Sequence, residues 1–330
     1  MKSKPFFISS LYLIFTAFLV SCGGGAPGEL QVKIMFPSGG LGDRSFSDMV
    51  YTGVIRAEQK ESFEKVQFVP ADALDADNTI REWFLEPARN PELIITIGQL
   101  YTGTLKSIGC PEGARYLLHL DDTLPDCSNT ISVNYRTYAP SFLAGVASMT
   151  VSKRKTAAVI GGMNLPAVNE FIRGFTAGVE YAGGTVVSTE YLAGDESGFN
   201  MPDKAKERAE ILFSAADVVF PLAGASGLGV FEAAKAATGR FSIGVDSDQA
   251  WIGRNVIIGS VIKRLDKSAE DAIVAFLSGK FMGGALTPGL DDGGTEFVVN
   301  EVFSGQVADA VNAARQAALE AERKDRELPQ

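Results

Sequence analysis

The chain has 330 residues, 46% of them hydrophobic and 21% charged, which is enough for two domains and excludes a disordered polyelectrolyte. Its formal charge of −10 excludes a nucleic-acid partner held by a basic surface. With a single histidine, His119, it also excludes a histidine-built metal centre.

Residues 1–21 begin with Lys2 and Lys4, continue through an apolar run from Phe6 to Val20, and lead into Leu19-Val20-Ser21-Cys22. The run is some five residues short of the roughly 20 needed to cross a bilayer, so the segment reads as a signal peptide. Its removal takes two lysines and no acid, moving the net charge from −10 to −12. The Leu-Val-Ser-Cys pattern resembles the processing site of bacterial lipoproteins. That resemblance makes Cys22 the acylated, membrane-anchoring residue and 22–29 a Gly-rich tether.

From there the pattern alternates. Val32–Phe36 reads as a strand and Phe46–Lys60 as a helix, with the glycine-rich turn Gly39-Gly40-Leu41-Gly42-Asp43-Arg44-Ser45 between them. Ser45 or Asp43 can cap that helix. Phe46, in its first turn, either presents a ring to a cleft or staples the helix to its sheet. Val66–Val69, Leu93–Gly98, Tyr116–Leu120 and Thr130–Val133 follow as strands, with helices at Asp77–Leu85 and Leu100–Ile108. Near Tyr138 the alternation restarts. Helices fall at 138–149, 168–182, 203–214 and 224–237, and strands at 156–160, 185–191, 217–220 and 241–245. One more strand and helix (257–262, 269–277) suggest a return to the first half, and the tail 307–327 reads as an exposed helix. Alternation of this kind predicts two α/β halves with parallel sheets. The expected lobes are 30–137 plus about 250–287, and 138–249 plus about 288–330. Cys110 and Cys127 are either a structural disulfide or two free thiols.

Enzyme chemistry finds little to use. His119 lies inside an apolar strand, no Gly-x-Ser-x-Gly elbow or phosphate loop is present, and Leu222–Gly229 has its glycines in the wrong order for a dinucleotide fingerprint. Strand ends, where α/β ligand sites form, carry Asp43 and Phe46, then Gln99, Asp121, Phe220, Gly224, Asp246 and Lys263; Phe199 sits in a loop. Aromatic faces among carboxylates, an amide and an ammonium suit a flat ring bearing hydroxyls. Asp246 and Lys263 can equally be a structural ion pair.

The stretch Asp43-Arg44-Ser45-Phe46 resembles the Asp-x-Ser-Phe-Asn signature of the basic membrane protein (PnrA-like) family of binding lipoproteins. The likeness continues through Ser141–Gly145, Gly161-Gly162-Met163, Phe171–Gly178, Ala223–Val230, Gly244–Gln249 and Ser260–Arg264. It implies a type I periplasmic-binding fold with three crossovers that closes on a ligand and hands it to an ABC permease; the missing motifs already argue for no enzymatic activity and no cofactor. By position, Phe46 and Phe220 resemble the rings that sandwich the ligand's heterocycle. Asp121 resembles the residue that bonds its edge, and Asp246, Lys263 and Gly224 those that hold hydroxyls; Asp43 and Phe199 line the pocket. Ser47 stands where the family signature has Asn, which leaves room beside the ring. The resemblance therefore points first to riboflavin and then to a purine nucleoside, with a surface adhesin or antigen as the reading from another class.

Overall fold

The computed structural model describes residues 30–88 and 90–327. The expected signal peptide, Cys22 and the tether lie outside the described residues.

Two six-stranded sheets divide the chain. The first contains β1 (Gln31–Met35), β2 (Glu64–Phe68), β3 (Glu92–Ile97), β4 (Arg115–Leu120), β5 (Thr130–Val133) and β11 (Gly284–Leu286), in the order β11-β5-β4-β3-β1-β2. The second contains β6 (Thr156–Gly161), β7 (Thr185–Tyr191), β8 (Val218–Leu222), β9 (Phe241–Asp246), β10 (Ile257–Lys263) and β12 (Thr295–Val299), in the order β12-β10-β9-β8-β6-β7. Every pairing is parallel except β10 with β12. Central strands such as β3 are buried at every residue, as expected of parallel strands covered on both faces.

In the first lobe, α1 (Phe46–Glu58) and α8 (Leu265–Leu277) pack on one face through Val50, Val54, Leu265, Ala269 and Ile273. On the other face lie α2 (Ala73–Leu85) and α3 (Thr102–Ile108), held by Ile80 and Leu105. The second lobe places α4 (Tyr138–Val151), α5 (Pro166–Tyr181) and α9 (Ser304–Arg326) on one face of its sheet, with α6 (Pro202–Leu212) and α7 (Gly227–Lys235) on the other. Helix α4 is buried nearly all round and crosses α5 at glycine. A Cβ on Gly178 would sit 1.9 Å from the Phe142 carbonyl oxygen, so no larger residue permits that approach.

The chain crosses between lobes three times: after β5, after β10 and after β11. Here the structure departs from the expected boundary. Strand β10, expected in the first lobe, belongs to the second sheet, with Val261 paired to Val245. No α-helix separates β9 from β10, so the break in alternation fell one strand before the actual crossover. The tail helix also departs from expectation. Val307, Val311, Ala314 and Ala318 are buried against α4, so α9 is part of the core rather than an exposed appendage.

Cys110 and Cys127 form a disulfide joining the end of α3 to the loop before β5. His119 is fully buried between the Thr96 hydroxyl (2.8 Å to Nδ1) and the Thr102 hydroxyl (3.0 Å to Nε2). Burial pushes its pKa down to about 4, so it is a neutral core histidine.

Candidate functional site

The carboxyl ends of β1, β3 and β4 face those of β8, β9 and β10 across a cleft enclosing about 910 Å³, its open mouth included. Asp43, Phe46, Gln99 and Asp121 line it from the first lobe, and Phe199, Gly224, Asp246 and Lys263 from the second. Eight of the nine residues named from sequence thus converge on one space.

Phe220 does not. It is fully buried in β8, its ring 5.0 Å from that of Phe175 and 6.4 Å from that of Phe171, inside the core beneath α5. The expected pair of sandwiching rings is therefore corrected: the second lobe brings Phe171 and Phe199 to the cleft instead. Phe199 is pressed against Gly162, where a Cβ would sit 2.5 Å from the ring, and its carbonyl lies over Gly224. Phe46 lies against Gly98, whose φ of 107° only glycine adopts readily.

The charged centre is a lysine between two acids. Lys263 Nζ, at the end of β10, lies 3.0 Å from Asp121 Oδ1 at the end of β4 and 3.1 Å from Asp246 Oδ1 at the end of β9. All three are buried. Burial alone would lower the Lys263 pKa, but the two carboxylates outweigh it and hold the amine above its ordinary value, hence charged. The same ammonium sits 4.6 Å from the centroid of Phe46 and 5.4 Å from that of Phe171. Asp121 and Asp246 have φ of 77° and 63°, left-handed backbone that non-glycine residues keep only where surroundings impose it. Although close to Lys263, Asp246 Oδ1 makes no aligned hydrogen bond and remains a buried acceptor with capacity to spare.

The other expected residues turn out to be partly occupied. Asp43 accepts from the backbone N–H groups of Ser45, Ser47 and Asp48, capping α1 where the Ser45 side chain does not. Burial nevertheless pushes its pKa up to about 6. Gln99 Oε1 accepts from Ala167 N–H at 3.1 Å, a bond from first lobe to second. Sequence reading passed over Phe171, Leu165, Val168, Glu196 and Leu222, which also line the cleft. Phe171 carried a signal, an i, i+4 pairing with Phe175 in the middle of α5, but that spacing reads first as core. Among the described residues no group of three or more His, Cys, Asp or Glu side chains is placed to hold a metal ion.

Two α/β lobes with three crossovers and a cleft at their strand ends define a type I periplasmic-binding architecture, a class of solute-binding proteins of ABC transporters. The chain matches the family described as "ABC transporter substrate-binding protein PnrA-like" over residues 30–324, and it belongs to that family. Members are substrate-binding proteins rather than enzymes. Among its relatives are an ABC transporter nucleoside-binding protein, BmpA, of Lactococcus lactis (25% identical, covering 96% of each chain) and a CD4+ T-cell-stimulating antigen of Listeria monocytogenes (26%, covering 88% of this chain and 89% of that one). A solute-binding protein of an ABC transporter system from Aeropyrum pernix K1 superimposes with a TM-score of 0.76 at 25% identity, over 90% of this chain and 86% of the other.

Proposed function

We propose that the cleft binds a flat heteroaromatic ring bearing a hydroxylated arm, riboflavin first, for delivery to an ABC permease from a chain anchored through Cys22. The observation that carries this reading is the buried Asp121–Lys263–Asp246 bridge, with Asp246 Oδ1 still able to accept a hydrogen bond. One positive charge between two negative ones leaves an excess of acceptors, which suits hydroxyl donors better than an anionic ligand. Phe46 from one lobe and Phe199 from the other supply ring faces, each aromatic pairing contributing about 1 kcal/mol beyond the area it buries. Ser47, on the cleft wall, supports a wide ring because a hydroxyl there takes less space than an amide.

A purine nucleoside is the second reading, supported by the name of the Lactococcus lactis relative. Calorimetric titration with riboflavin, inosine and guanosine decides between them. Riboflavin binding, weakened at least about tenfold by Asp246→Ala, is the expected result, since a hydrogen bond to a charged group contributes about 1.5–3 kcal/mol. Binding of inosine or guanosine in place of riboflavin selects the second reading. Binding of none of the three, or an Asp246→Ala variant of unchanged affinity, overturns the assignment.

A further inference from the structure

The N-terminus of α1 does something its sequence does not announce. Ser45 stands at the cap position, yet its side chain makes no capping bond, because Asp43 satisfies the backbone N–H groups there. Instead the fully buried Ser45 hydroxyl points across to the second lobe, 2.9 Å from the Val245 carbonyl oxygen and 3.0 Å from Asp246 Oδ2, its single proton shared between them. Its neighbour docks beside it: the Arg44 carbonyl accepts from Ser247 Oγ at 2.8 Å and from Gln249 Nε2 at 3.0 Å. The Arg44 guanidinium lies 5.2 Å from the Trp251 ring centroid. Arg44 and Asp246, one from each lobe, both have left-handed backbone, with φ of 53° and 63°.

We infer that Ser45 is a positioning residue: by docking on the second lobe it fixes the Asp246 carboxylate through Oδ2, holds Oδ1 beside Lys263 at the cleft, and so sets how long the ligand stays bound. This rests on the ligand-binding reading of the cleft. Asp246 has two oxygens: Lys263 lies 3.1 Å from Oδ1, and Ser45 donates to Oδ2. Without Ser45 the carboxylate loses its second tether, and the buried Oδ2 is left short of a donor. Because the tether runs between lobes, it exists only while they are together. Its loss therefore speeds ligand departure and leaves encounter unchanged.

The test is stopped-flow binding of riboflavin, inosine and guanosine to the full chain, with Ser45→Ala made alone and in an Asp246→Ala background. Ser45→Ala is expected to raise the dissociation rate of whichever ligand binds about tenfold with little change in association rate. In the Asp246→Ala background the same substitution should change dissociation by clearly less, about threefold at most, since the carboxylate is gone and only the Val245 carbonyl is left to the hydroxyl. A merely structural serine would act equally in both backgrounds, and that outcome, or an unchanged dissociation rate, overturns the inference. The chain has two tryptophans, so Trp83→Phe leaves Trp251 as a reporter of the docked segment. Should none of the three compounds bind, the ligand reading fails, but the fluorescence anisotropy of Trp251, whose ring lies beside the Arg44 guanidinium, still tests the docking. It should fall in Ser45→Ala; unchanged anisotropy refutes the docking role too.

Discussion

Replacing Lys263 by methionine isolates what holds the two lobes' acids together. The ammonium stands 3.0 Å from Asp121 Oδ1 and 3.1 Å from Asp246 Oδ1, so removing it leaves two buried carboxylates facing one another across no more than about 6 Å. At an effective dielectric constant of about 20, two unit charges at that distance repel by about 3 kcal/mol, and stripping one partner from a buried ion pair costs about 3–5 kcal/mol in all. The pH dependence follows in sign. Burial holds Asp121 above its ordinary value near 3.8 even with the lysine in place, and removing the lysine takes away the charge that opposes this shift and so raises it further. The variant therefore keeps most of its stability in acid, where one carboxyl is protonated, and loses it as pH rises through that raised value. Urea unfolding at about pH 5 and about pH 8 should show Lys263→Met less stable than the parent by about 3–5 kcal/mol at the higher pH and by clearly less at the lower. Adding Asp121→Asn should recover most of the loss. A deficit below about 1 kcal/mol at the higher pH, or an equal deficit at both, would mean that the bridge is not the buried electrostatic joint described here.

Glu170 on α5 accepts from the backbone N–H of Thr137 at 3.0 Å, at the start of α4, and burial pushes its pKa up to about 7 from 4.5. Its folded form thus gives up a proton reluctantly: stability should fall as pH rises from about 4.5 through about 7, and Glu170→Gln should flatten that slope in a urea series, gaining up to about 3 kcal/mol above it; parallel slopes contradict this. Phe220 and Phe199 should separate cleanly, with Phe220→Ala costing about 3–5 kcal/mol in thermal or urea unfolding and Phe199→Ala weakening ligand binding by about tenfold at smaller stability cost; the reverse pattern would put the wrong ring in the cleft.

What could be read in the chain beforehand, and what could not, divides by the range of the interactions involved. The strand–turn–helix at Gly39–Asp48 is legible because hydrophobic spacing changes from strand to helix around glycines, and parallel topology then forces the strand ends together. That is why Asp121, Asp246 and Lys263, drawn from three strand ends, could be assigned to one cleft without coordinates, although their direct contact through Lys263 could not. Phe220 was misplaced because β8 is buried at all five residues, so no alternation of polar and apolar side chains reveals which side of the sheet each one faces. Helix α9 was misjudged because alanine supplies two of its four buried apolar residues, Ala314 and Ala318, and a methyl group barely marks an apolar face among glutamates and arginines.

Ser45 is the extreme case. Its hydroxyl has the right chemistry for a local cap and sits at the right position, yet its partners lie 200 and 201 residues away. Nothing local could have revealed that, because what frees the hydroxyl is an aspartate two residues earlier taking over the cap. The same substitution of roles explains why the acid at Asp43, first read as a ligand contact, spends its oxygens on backbone N–H groups, while Asp246 keeps one buried oxygen beside Lys263 without a hydrogen-bond donor. A site placed between two lobes is completed by closure, so its most informative side chains are those whose bonds cross the gap.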